Sequence, residues 1–103
     1  MAKKPPKHYE RFKEQYRKVG EAVETLGQAV KAAGPLDERS GHLIQLAAAA
    51  AIRSEGSVHS HVRRALEAGA SPEEVRHALV LLTSTIGFPA VAAALSWAAD
   101  ILD

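Results

Sequence analysis

Apolar residues recur three and four positions apart along almost the whole chain, in runs set off by glycine or proline, and a chain patterned this way folds as short α-helices. After Pro5-Pro6, Tyr9, Phe12, Tyr16 and Val19 share one helical face, and Gly20 is the expected bend. Ala22, Val23, Leu26, Ala29, Val30 and Ala33 continue to a stop at Gly34-Pro35. Asp37 is the expected N-cap of a third, central helix whose buried face is read as Leu43, Ile44, Leu46, Ala47, Ala50 and Ala51. Beyond a junction at residues 54–57, Val58, Val62, Ala65 and Leu66 form a stripe that stops at Gly69. Ser71-Pro72-Glu73-Glu74 then reads as a capping box with proline at the first helical position. The fifth helix is read through Val75, Ala78, Leu79, Leu82 and Ile86 to Gly87-Phe88-Pro89, and the last through Val91, Leu95, Ala98, Ile101 and Leu102. No strand-like alternation or solenoid repeat occurs. The expected architecture is all-α with about six helices in one domain, residues 1–35 forming an N-terminal helical arm and residues 36–103 the core.

Composition narrows the partners. With 47% hydrophobic but only 5% aromatic residues, the core must be built from alanine, leucine and valine, which allows helices to approach closely. A net charge of +1 from 13 basic and 12 acidic residues supplies no general field for nucleic acid or an anionic membrane, so neither is an expected partner. The basic bias of Lys3, Lys4, Lys7, Arg11, Lys13, Arg17 and Lys18, broken by Glu10 and Glu14, reads as a solvated face. No apolar run approaches the roughly 18 residues of a membrane span, and no secretory leader pattern is present, so the cytoplasm is the expected location. Small helices this rich in alanine and leucine leave apolar faces that a homo-oligomer would cover.

Five histidines occur, three of them between positions 42 and 61. Ser54, Ser57 and His61 lie at i, i+3 and i+7, one stripe of a helix starting near Ser54. Ser57 beside His61 has the form of a nucleophile and base, yet no Gly-x-Ser-x-Gly elbow or other supporting motif accompanies it. The simpler reading makes Ser54 a helix cap and Ser57 a local hydrogen-bonding partner. Glu55 and His59 form an i, i+4 pair suited either to acid–base work or to an ordinary exposed helix pair. His59 and His61 are about 200° apart around a helix, so one metal ion cannot take both. A metal set would instead combine Glu55 and His59 with a histidine from elsewhere, such as His42 or His77. No cofactor is required by any motif, and a divalent metal is the one compatible with these residues. His8 and His77 have weaker claims, and Trp97 with Phe88 would line an apolar pocket, the core or a subunit contact.

The run Arg53-Ser54-Glu55-Gly56-Ser57-Val58-His59-Ser60-His61-Val62-Arg63-Arg64-Ala65-Leu66-Glu67-Ala68-Gly69-Ala70-Ser71-Pro72-Glu73-Glu74 resembles the signature of the carboxymuconolactone decarboxylase family, which includes the AhpD-like alkylhydroperoxidases. Leu36-Asp37-Glu38-Arg39-Ser40 and Gly87-Phe88-Pro89-Ala90 extend the resemblance over residues 36–103. In the redox members, cysteines stand at the positions of Ser54 and Ser57, the histidine corresponds to His61, and a glutamate twelve residues before the first cysteine corresponds to His42. This chain has no cysteine, so dithiol peroxidase chemistry by these residues is excluded. The resemblance implies an all-α, AhpD-like oligomer, a homotrimer or homohexamer. The family's decarboxylases also lack the dithiol, and decarboxylating a γ-carboxylactone needs a cation for the carboxylate and a proton donor for the dienolate carbon. Arg53, Arg63, Arg64, His59 and His61 are candidates for those roles. The expected function is acid–base lyase chemistry on a small carboxylated or lactone compound, with His61, Glu55, His59, His42, Ser57 and Ser54 as the site. The alternatives are a non-catalytic oligomeric binding or scaffold protein, or an alkylhydroperoxidase-like role carried over from the family, which would meet serine in place of both redox cysteines.

Overall fold

Helix is the only regular structure among the described residues, 7–103 of this computed structural model. Lys3, Lys4 and Pro5-Pro6 lie outside the described residues. The chain divides into two compact units, one ending at Leu36 and the other spanning Asp37–Asp103. No helix described is long and apolar enough to cross a membrane.

The first unit holds α1 (Lys7–Gln15) and α2 (Arg17–Ala32). The bend falls at Tyr16, with φ −128° and ψ 61°, and not at Gly20 as the sequence predicts. Gly20 lies inside α2, where its N–H still donates to the Tyr16 carbonyl at 2.9 Å. Its missing side chain serves the packing instead. A Cβ there would meet Lys13 Cγ at 3.2 Å and Lys13 Cα at 3.5 Å, so glycine lets α2 fold back against α1. Lys13 and Glu24 close the same corner with an exposed 3.4 Å ion pair. Val19, Val23, Leu26 and Val30 form an apolar stripe on α2 that stays exposed.

The second unit holds α3 (Glu38–Ala51), α4 (Glu55–Glu67), α5 (Pro72–Val80), α6 (Thr83–Ile86) and α7 (Phe88–Leu102). Asp37 caps α3 by accepting the Ser40 N–H at 2.7 Å. At its other end, the Arg53 N–H donates to the Ala50 carbonyl and the Ser54 N–H to the Ala49 carbonyl, the bond pair of a Schellman motif. The same pair recurs after α4, from Gly69 to Leu66 and from Ala70 to Ala65. Gly69 takes the left-handed position there with φ 102°, whereas Arg53 holds it with φ 57°. Ser54 therefore finishes α3 through its N–H and starts α4 through its hydroxyl, leaving almost no linker between the two helices.

The predicted capping box at Ser71 and Glu74 is present, with bonds of 2.9 and 3.0 Å. The long fifth helix is not. It breaks after Val80, where Leu82 N–H donates to Leu79 and Thr85 N–H to Leu82, and the Thr83 hydroxyl donates to the Val80 carbonyl at 2.7 Å. One further turn, α6, follows before Gly87 at φ 91° admits α7. The core joins Leu46, Ala49 and Ala50 of α3, Val58, Val62 and Ala65 of α4, Val75 and Leu79 of α5, and Ala94 and Ala98 of α7. The buried face of α3 thus runs through His42, Leu46, Ala49 and Ala50, while Ile44 and Ala51 are exposed, contrary to the sequence reading. Residues 43 and 44 lie about 100° apart, and the approach of α4 selects the side that carries Leu46.

Candidate functional site

His42 is placed by the buried face of α3, one turn before Leu46, and is only 4% exposed. His61 is half-buried on α4. The tight α3–α4 hairpin brings their Nδ1 atoms to 3.3 Å, with ring centroids 5.5 Å apart and the planes tilted by 35°. One ring must donate its Nδ1–H and the other accept, and in His61 it is then Nε2 that is available to a ligand. Burial first, then the positive charges of His42 and Arg64, push the His61 pKa from 6.5 down to about 4. His61 is accordingly a neutral imidazole at pH 7.

Ser54 and Ser57 do what serines at a helix start usually do. The Ser54 hydroxyl donates to Ser57 Oγ at 2.9 Å and accepts the Ser57 N–H at 3.4 Å, capping α4. The Ser57 oxygen accepts from Ser54, and no hydrogen bond joins Ser57 to His61.

His59 faces away from this pair, as the helical period requires. Its Nε2 lies 3.0 Å from Asp100 Oδ2 on α7 and 4.0 Å from Glu55 Oε2 on its own helix. Glu55, His59 and Asp100 hold their donor atoms within 4.8 Å of one another. The third member beside Glu55 and His59 is thus Asp100, while His42 stands against His61. Asp100 was missed by sequence reasoning, although it is the sole charged residue within Phe88–Leu102 and stands out there on composition.

The other candidates separate from both groups. His77 is exposed on α5, where it borders an apolar groove of about 390 Å³ with Leu43, Ile44, Ala47 and Leu81. His8 is exposed on α1. Phe88 is exposed, and Trp97 packs half-buried against the core. Of the candidate arginines, Arg53 and Arg64 are exposed, whereas Arg63 is buried. Burial and the Arg64 charge hold the Arg63 guanidinium below its ordinary pKa, against an opposing pull from Glu67.

Comparison with known families shows that the model of the carboxymuconolactone decarboxylase family matches residues 17–100, most of the chain. The chain belongs to the carboxymuconolactone decarboxylase family. The match reaches back through α2, well before residue 36, where the signature resemblance begins. The all-helical architecture matches the AhpD-like helical fold of the family. A comparison with curated proteins returns no match. The matched residues include both members of the His42–His61 pair.

Proposed function

We propose that this member of the carboxymuconolactone decarboxylase family is a cysteine-independent acid–base enzyme acting on a small carboxylated or lactone-like compound, as a cytoplasmic homotrimer or homohexamer. The observation that carries this reading is the His42–His61 pair with its Nδ1 atoms 3.3 Å apart. A tautomer in which His61 donates its Nδ1–H to His42 leaves His61 Nε2 as an unprotonated base. That nitrogen takes a proton from solvent. The imidazolium so formed, disfavoured by burial and by the Arg64 charge, delivers that proton to the dienolate carbon left when carbon dioxide departs from the ligand carboxylate. Arg64 is near enough for its charge to depress His61, so a ligand carboxylate held there would offset that charge and strengthen the base.

The oligomer is supported by the apolar stripe of Val19, Val23, Leu26 and Val30, each more than half exposed. Turnover of carboxylated lactones, followed by carbon dioxide release, tests the chemistry. His61→Gln is expected to lower kcat/KM by roughly a hundredfold or more, with His77→Ala close to wild type. Failure of the wild type to turn over any such compound would leave a binding or scaffold role.

A further inference from the structure

We infer that Glu55, His59 and Asp100 form a binding site for a divalent first-row transition-metal ion, separate from the His42–His61 pair. The three donors come from two helices packed in one unit: Glu55 from the first turn of α4, His59 one turn later, and Asp100 from the last turn of α7. Nε2 of His59 lies 3.0 Å from one carboxylate oxygen and 4.0 Å from the other. An ion about 2.1 Å from each donor sets tetrahedral neighbours about 3.4 Å apart, between those two separations, so small side-chain shifts suffice.

A simple ion pair explains this arrangement less well. Nε2 carries one proton, which Asp100 accepts at 3.0 Å, and Glu55 at 4.0 Å is beyond hydrogen-bond reach. An ion centred between the three uses all of them. Two carboxylates neutralise its charge, and Asp100 stands at the helix end where the carbonyl dipoles also favour a cation. The imidazole ligand selects zinc, cobalt, iron or nickel over magnesium and calcium, which prefer oxygen donors. Both carboxylates are more than half exposed, so water completes the coordination and the ion has a short path in. The His42–His61 pair lies on another side of α4, so loss of either site leaves the other standing.

The test is cobalt(II) uptake by the full chain, followed by its visible absorption and by calorimetric competition with zinc. One ion per chain is expected, displaced by zinc and not by equimolar calcium. His59→Gln should weaken the affinity at least about a hundredfold, and Asp100→Asn and Glu55→Gln each by about tenfold or more, with unchanged helical circular dichroism. His61→Gln should bind cobalt as the wild type does. Absence of saturable uptake at millimolar metal, calcium binding equal to zinc, or uptake lost in His61→Gln but kept in His59→Gln would each overturn the site. Because the readout is metal binding and not turnover, this result is independent of the acid–base reading.

Discussion

His61 loses basicity because burial strips water from its charged form and because His42 and Arg64 add positive charge beside it. The lowered pKa makes stability depend on pH in a definite direction. Between about 4 and 6.5 the unfolded chain binds a proton that the folded chain refuses, so this contribution is complete above pH 6.5 and is lost as pH falls towards 4. After allowance for partial exposure, the loss is on the order of 1–2 kcal/mol. Urea unfolding at pH 7 and pH 4.5 should show a smaller pH effect in His61→Gln than in the wild type. Two neighbouring positions give further tests. Arg53 holds a left-handed conformation at φ 57°, so Arg53→Gly is expected to stabilise the protein by up to about 1 kcal/mol. Ser54→Ala removes the cap of α4 and the Ser57 partner together and should cost about 1 kcal/mol. Both are read from urea midpoints.

Among the helices, α3 and α4 do most to build the site. Their close packing through Leu46, Ala49 and Ala50 against Val58, Val62 and Ala65 fixes the register that sets His42 against His61. Leu46→Ala should therefore cost about 2–5 kcal/mol and, in the folded fraction, shift the His61 imidazole titration seen by NMR towards its ordinary value. Helix starts were legible because capping is local: Asp37, Ser54 and Ser71 each bind an N–H three residues on. Two breaks were not. Tyr16 carries no breaker signal, and Gly20, which does, remains helical because its role is close contact with Lys13. The interruption after Val80 keeps the apolar period intact, so periodicity alone passes straight over it.

For the whole molecule, the exposed stripe on α2 is the feature that most needs a partner. If copies of the chain cover it, wild-type mass in solution should be three or six times 11.0 kDa, and Val23→Glu with Leu26→Glu should reduce it. Analytical ultracentrifugation checks both. A wild-type monomer would remove this part of the proposal. The order of elements, the all-helical class, the family signature and the absence of thiol chemistry were all readable from residue types and spacings, since each depends on neighbours within a turn or two. The pairing of histidines was open to no such reading. His59 and His61 stand two residues apart yet belong to different groups, because a helix turns them to different sides. His42 reaches His61 across 19 residues and Asp100 reaches His59 across 41, and contacts that distant exist only once α3, α4 and α7 have packed.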